Sequence, residues 1–370
     1  SFQCDVPEPN EGFIAVAGGH YHSLGLRSDS TIVAWGWNAY GQCDVPEPNE
    51  GFIAVAGGHY HSLGLKRDGM IVAWGTNGYG QCDVPAPNAG FVAVAGGLAH
   101  SLGLKRDGTI AAWGAIGNGQ CEVPPPNGDF VALAAGAYNS LGLKRDGTIV
   151  AWGANGYGQC DVPAPNEDFV AVAAGHYHGL GLRRNGVVVV WGNNNYGQWN
   201  IPAPNAGFAA VAGGAAHSVG LKRDGTIVAW GWNNHGQCEV PAPGSGFAAA
   251  AAGGWHSLGL TGASASAVPE PGRPAGSARL AVVSLAPNPS PRSTVLSLEL
   301  AESSPLILEV LDAGGRRIAA RQLGRMGPGI GHVVWDGRGE GGGDLECGVY
   351  YLRVRDSAGR SEAVRAVLIR

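Results

Sequence analysis

Residues 52–90 read FIAVAGGHYHSLGLKRDGMIVAWGTNGYGQCDVPAPNAG, and close variants of this 39-residue unit occur seven times along the chain. Three markers keep the register. The first is Cys4, Cys43, Cys82, Cys121, Cys160, Trp199 and Cys238, and the second is His22, His61, His100, Asn139, His178, His217 and His256. The third, Trp35, Trp74, Trp113, Trp152, Trp191 and Trp230, appears only six times. A fixed period of this length marks a repeat architecture, in which one unit cannot bury its own apolar faces and neighbours must stack.

Each unit reads as four short strands. Strand A is the Phe-Val-Ala-Val-Ala run at 91–95, which ends at the turn Gly96-Gly97. Strand B is 100–104, followed by a two-residue hairpin turn at Asp107-Gly108, where glycine tolerates a positive φ. Strand C is exemplified by 148–153, and a Gly-x-Asn-x-Tyr-Gly loop leads to strand D, Gln-Cys-Asp-Val-Pro. Proline there suits an outermost strand, where its missing N–H breaks no ladder. Four antiparallel strands per repeat describe a propeller blade, so the fold class is all-β, a seven-bladed β-propeller. The Trp of strand C and the Phe of strand A suit the core between blades, and the small residues of strands A and B suit a crowded central channel.

Composition agrees with order. The chain has 370 residues with 63 Gly and 23 Pro, a level that marks disorder unless it is periodic, as it is here. The charged fraction is 14 % and the net charge −5, which argues against a nucleic-acid partner. No apolar stretch approaches the ~20 residues that span a bilayer, so no membrane span is expected. The sequence starts inside a repeat at Ser1, so a removed leader or an upstream segment is expected. The propeller covers 1–260, and a Pro/Ala/Ser/Gly linker covers 261–279. Residues 280–370 carry short alternating strands at 295–300, 306–311, 332–335, 348–354 and 363–369, which predict a small immunoglobulin-like β-sandwich.

The runs Val-Ala-Gly-Gly-His-Tyr-His-Ser-Leu-Gly-Leu (16–26) and Trp-Gly-Thr-Asn-Gly-Tyr-Gly-Gln (74–81) resemble the regulator-of-chromosome-condensation repeat family over 1–260. They are similar above all to its bacterial branch, which includes propeller-type β-lactamase inhibitors. That resemblance implies a protein-binding ring whose loops on one rim grip the target. Ala-Pro-Asn-Pro (286–289), Val-Val-Trp-Asp-Gly-Arg (333–338) and Gly-Val-Tyr-Tyr-Leu-Arg (348–353) resemble two modules. These are the C-terminal sorting domain of type IX secretion and the immunoglobulin-like domain of flagellar hook-capping proteins. The resemblance implies a sorting or anchoring role, although Arg370 stands where the sorting domains end in Lys.

Strand alternation puts the A–B turns and C–D loops on one rim. The basic B–C hairpins, such as Lys66-Arg67, share the other with the acidic D–A loops, and opposite signs there describe a solvated face. The first rim gathers Tyr21, Tyr60, Tyr138, Tyr177 and Trp255 on its turns, and Trp37, Tyr40 and Trp232 on its loops. Tyr79, Tyr157 and Tyr196 join them. Aromatics on turns with few charges fit an interface core, or a sugar platform. The same tyrosines also fit a framework role, packed on the next blade. Trp37 and Trp232 vary among repeats (Thr76, Ala115, Ala154, Asn193), which suits a framework less well.

Other chemistry finds no support. His20, His22, His59, His61, His176 and His178 invite a metal reading, but at one position per blade they are expected to lie too far apart, each bonded to neighbouring backbone. No metal centre or cofactor is therefore expected. No nucleophile–base pair breaks the symmetry, so an enzyme is not expected. Cysteines at equal radius on different blades predict buried free thiols. Strand C of the last copy is missing, so the closing blade is expected to join 247–260 with the N-terminal strand D, with 263–268 or an upstream segment as its weak third strand. The expected function is an exported or cell-surface protein-binding module, extracellular and monomeric. A small-GTPase exchange-factor-like regulator is the first alternative. A carbohydrate-binding surface protein is the second.

Overall fold

The computed structural model describes residues 2–261 and, beyond them, 280–286, 294–300, 303–312, 316–327, 329–339, 343, 345, 348–357 and 361–368. The chain divides into two compact units, Ser1–Leu260 and Thr261–Arg370.

In the first unit, six three-stranded antiparallel sheets follow one another and a two-stranded sheet comes last. The first consists of Phe13–Gly18, His22–Arg27 and Ile32–Gly36, and the last of Phe247–Ala252 and Ser257–Thr261. Strands A, B and C therefore form where periodicity places them. The hairpin between B and C differs from the two-residue expectation. In the third repeat Gly108 N–H donates to Lys105 O at 3.0 Å and Lys105 N–H to Thr109 O at 2.8 Å, with Gly108 at φ +83°. This is a three-residue loop that ends in a left-handed glycine, and the Asp107 carboxylate accepts from both N–H and Oγ–H of Thr109.

Strand D does not form. The Gln-Cys-Asp-Val-Pro segment is a chain of turns and bends, followed by a cis X-Pro bond such as Ala86-Pro87. A side chain takes over what a fourth strand would do. Asn49 accepts from the N–H of Ile32 and donates to its C=O, both at 2.8 Å, so one amide caps the free edge of strand C. Asn88, Asn127, Asn166 and Asn205 repeat this clamp.

Packing between sheets follows the repeat. Leu24, Leu26 and Ile32 of the first sheet bury against Phe52 and Trp74 of the second. The Phe52 ring lies across Gly64, where a Cβ would come within 2.5 Å of it, so that strand position needs glycine. Strand A lies innermost and lines a central channel of about 400 Å³ with Val, Ala and Gly. There the backbones nearly touch, and a Cβ on Gly57 would sit 2.5 Å from Gly19 N.

The sheets close into a ring through their A–B turns. His20 N–H donates to Gly58 O, His59 to Gly97, Leu98 to Ala137, Ala137 to His176, His176 to Gly214, Ala215 to Gly254, and Gly254 back to Gly19 at 3.0 Å. Histidine–serine pairs run parallel across six of the seven sheet junctions, from His22 Nε2 and Ser62 Oγ at 2.9 Å to His256 Nε2 and Ser23 Oγ at 2.9 Å. The marker histidines therefore bond a serine of the next sheet rather than neighbouring backbone. The expected clasp is also corrected: Gln3 O accepts from Ser23 Oγ and Trp35 Nε1, so the N-terminal segment docks on the first sheet. Every later glutamine likewise docks on the sheet after it, as Gln42 O does with Ser62 and Trp74. The proposed third strand at 263–268 lies outside the described residues.

The cysteine expectation needs adjustment. The six described cysteines are free, but Cys4 is exposed and the other five are half-buried, each donating its thiol to a loop carbonyl, as Cys43 does to Trp37 O. Burial, helped by Asp44, pushes the Cys43 thiol up to about 11. Cys347 lies outside the described residues.

The second unit holds two antiparallel sheets. One orders Leu280–Ala286, Thr294–Leu300 and Gly329–Trp335, and the other orders Arg317–Met326, Ser304–Leu311, Gly348–Asp356 and Ser361–Leu368. A single core with Leu296, Leu298, Leu308, Trp335 and Leu352 joins them. Leu280–Ala286 and Arg317–Met326 are strands that the sequence pattern did not suggest. Glu309, 4 % exposed, accepts from Arg353 at 2.7 Å and Arg317 at 3.4 Å. Burial alone would raise its carboxyl, but the guanidinium partners outweigh it and hold the group below the usual range.

Candidate functional site

The two rims sort as alternation requires. On one, B–C hairpins meet D–A loops through Arg67 N–H to Gly51 O, and Lys66 stands 5.0 Å over the Phe52 ring. On the other, A–B turns meet C–D loops, and all eight singled-out aromatics lie there. Trp232 packs on Trp255 at 4.6 Å between ring centroids, and Tyr21 lies 5.8 Å from Trp37 and 6.0 Å from Tyr60. Trp37, Tyr40 and Tyr60 form a triangle with every side 5.2 Å. Tyr138 and Tyr177 form a second arc at 6.4 Å, which Tyr157 joins at 5.1 Å from Tyr177. Ala99 and Ala216, both buried, interrupt the series in the third and sixth repeats.

Exposure separates the two aromatic series. The turn aromatics Tyr21, Tyr60, Tyr138, Tyr177 and Trp255 are half-buried, as are Trp37 and Trp232. The loop tyrosines stand out further: Tyr40 is 53 % exposed and Tyr79 68 %. Tyr40 touches Tyr60 of the next sheet, so contact with a neighbour and exposure coexist. Burial, then the neighbours Tyr21 and Tyr40, raise the Tyr60 phenol above its ordinary value. The Tyr60 hydroxyl therefore stays protonated and able to donate at neutral pH.

The structure adds a group that the sequence reading dismissed. His20 and His59 follow the Gly-Gly turn in repeats one and two, and His176 follows Ala174-Gly175 in repeat five, all at the rim-side mouth of the channel. Equivalent positions on different blades are far apart at the periphery, but turn residues at the axis are not. His20 Nδ1 lies 3.1 Å from His176 Nε2, the His20 and His59 rings are 3.8 Å apart, and one nitrogen from each residue falls within 4.8 Å of the others. Burial first, then mutual repulsion, lowers His20 to about 2 and His176 to about 4, and burial lowers His59 to about 4. All three are therefore neutral at physiological pH, and in the His20–His176 contact one ring nitrogen donates its proton to the lone pair of the other. The signal available in sequence was the column His20, His59, Leu98, Ala137, His176, Ala215, Gly254, a turn position where the repeats disagree in chemistry. His20 also links the arcs, lying 4.2 Å from Tyr21 and 5.5 Å from Trp255. The marker series His22, His61 and onward stays apart in the sheet interfaces.

Comparison with known proteins gives the framework. Residues 13–42, 52–81, 130–159, 169–198 and 208–237 match the regulator of chromosome condensation (RCC1) repeat. Among curated proteins none matches the chain in sequence. Prp20p of Saccharomyces cerevisiae, described for its binding properties to Gsp1p and histones, is similar in structure, with 20 % identity and a TM-score of 0.58 over 70 % of this chain and 84 % of that one. Human WBSCR16 gives 19 % and 0.57 over 69 % and 88 %, and the CRINKLY WD40 ectodomain of the Arabidopsis thaliana receptor kinase ACR4 gives 24 % and 0.55 over 68 % and 93 %. At these identities the likeness establishes fold alone. The sheets described above agree with the fold of these neighbours, and with five segments that match the RCC1 repeat the first unit is an RCC1-like β-propeller.

Proposed function

We propose that the chain is an exported or cell-surface binding protein, not an enzyme, whose seven-bladed propeller holds a protein partner on its aromatic rim. The observation that carries this reading is the aromatic surface around the A–B turns, where the His20 ring touches both Trp255 and Tyr21, and Tyr21, Trp37, Tyr40 and Tyr60 follow in ring contact. Large aromatics with little conformational entropy to lose, half-buried on a rigid scaffold, are what binding hot spots are made of. The framework role accounts for less of this surface. Six loop and rim hydrophobics, including Tyr40, Tyr79, Tyr157 and Tyr196, leave more than a third of their surface in water. The second unit serves, in this reading, as an immunoglobulin-like sorting or anchoring module.

The test is capture from the native environment with the full chain as bait, beside Tyr60→Ala and Trp255→Ala. Each substitution should weaken partner binding by about 2 kcal/mol or more with little change in melting temperature. A partner retained equally by both variants, or a loss explained by unfolding, would reject the aromatic rim as the binding surface.

A further inference from the structure

We propose that His20, His59 and His176 form a binding site for a zinc-class divalent metal ion at the mouth of the central channel. Nothing in the fold calls for histidine there. Leu98, Ala137, Ala215 and Gly254 occupy the same position in the other repeats. The backbone N–H at all seven positions closes the ring whatever the side chain. Three histidines at three of seven equivalent positions, converging on one point, therefore need an explanation other than propeller geometry.

The geometry is close to what an ion requires. Zinc takes imidazole nitrogens at ~2.0–2.1 Å in tetrahedral array, which sets its ligand atoms ~3.3 Å apart. His20 Nδ1 and His176 Nε2 already have that spacing, 3.1 Å apart in a hydrogen bond, and an ion takes both once the donor ring shifts its proton to its other nitrogen. The third histidine has to close a gap no longer than 4.8 Å, by rotation about its own side-chain bonds. His59 Nδ1 is buried and makes no hydrogen bond among the described residues, so turning it toward an ion breaks nothing. The nitrogens are neutral, as described above, so protons compete for them only in acid. An all-imidazole set without carboxylate or thiolate suits zinc, copper(II), nickel(II) and cobalt(II) over magnesium or calcium. Beneath the site the channel wall is Val, Ala and Gly, which offers no side-chain ligand. Three protein ligands leave the fourth tetrahedral position open for water or an anionic donor.

The experiment uses the chelator-treated full chain. Calorimetric titration with Zn²⁺ should give a single equivalent, and zinc should raise the melting temperature through ligand linkage. Co²⁺ should give the visible bands of a tetrahedral nitrogen site without thiolate-to-cobalt charge transfer. His59→Leu and His176→Ala carry residues that the sister repeats already hold at this position, so both should fold as metal-free proteins. Each should bind zinc at least ~100-fold more weakly. His235→Gln, a rim histidine outside the cluster, should bind as the wild type does. Failure of the wild type to bind zinc at micromolar concentration would overturn the proposal. So would binding that survives the His59→Leu/His176→Ala pair, or a thiolate charge-transfer band that assigns the ion to the cysteines.

Discussion

The marker histidine carries a chemical constraint that its burial alone does not reveal. Ser62 Oγ donates its proton to Gln42 O at 2.8 Å, so it can only accept from His22 Nε2. The imidazole must then be the neutral Nε2–H tautomer, which leaves Nδ1 as a buried bare acceptor in each of the six histidines. The fourth link shows what replaces the pair. Asn139 takes the histidine position, Gly179 takes the serine position, and Trp191 fills the space, so that a Cβ on Gly179 would fall 2.4 Å from its ring. The Asn139 amide makes no hydrogen bond among the described residues, although it is fully buried. Two substitutions of one kind should therefore have opposite consequences. His61→Leu removes the donor to Ser101 and should cost about 2 kcal/mol or more, whereas Asn139→Leu removes an unsatisfied amide and should be neutral or stabilising. Urea unfolding of both variants reads the difference, and equal destabilisation would show that Asn139 makes a bond through water. The sequence displayed the His-to-Asn and Ser-to-Gly changes plainly. It did not display that they face each other, because they sit 40 residues apart in neighbouring repeats.

At the scale of the element, strands A, B and C were legible because alternation and glycine punctuation coincide with the sheet. The fourth strand was misread for a physical reason. Gln-Cys-Asp-Val-Pro has strand-like alternation, but its backbone is committed elsewhere: Gln42 O serves Trp74 and Ser62, and Cys43 N–H donates to Asn38. The free edge of strand C is handed to the Asn of the following Pro-x-Pro-Asn turn. Asn49→Ala should uncover both polar groups of Ile32 and cost about 1–2 kcal/mol, while the neighbouring exposed Glu50→Ala should cost nothing measurable. Thermal melts of the two variants check this, and equal melting temperatures would deny the clamp a structural role. In the second unit the strand Arg317–Met326 was missed because its apolar residues are few and its arginines many. It is held as a strand by pairing with Ser304–Leu311 and by the buried Glu309, neither of which is a local signal. The rim aromatics were legible as a set, since turns of one kind must share one end of the sheets. The convergence of three turn histidines was not, because it depends on distance from the axis rather than on position in the repeat.

The whole ring behaves as one titrating object. Burial first lowers His22, His61 and His178 to about 3, and His100, His217 and His256 to about 4, with neighbouring imidazoles lowering His22, His61, His178 and His217 further. In the unfolded chain the same groups titrate near 6.5. Below that pH the unfolded state takes up protons that the native ring refuses, so stability is complete above about pH 6.5 and falls as the pH drops toward 4. Each histidine contributes a slope approaching about 1.4 kcal/mol per pH unit once the solution is well below its unfolded value. Six act in one closed structure, in which losing any sheet interface opens the ring. The slope should therefore be steep, and acid unfolding should come between about pH 4 and 6. Urea titrations of the metal-free chain at pH 7, 6 and 5 give both the stability and, from its slope, the number of protons taken up. His61→Leu should lower stability at pH 7 and flatten the slope by one proton's worth, because its position no longer titrates in either state. A stability that stays constant from pH 7 to 4.5 would mean that the interface histidines accept protons in the folded ring. The neutral Nε2–H tautomer, and the six histidine–serine pairs built on it, would then have to be abandoned.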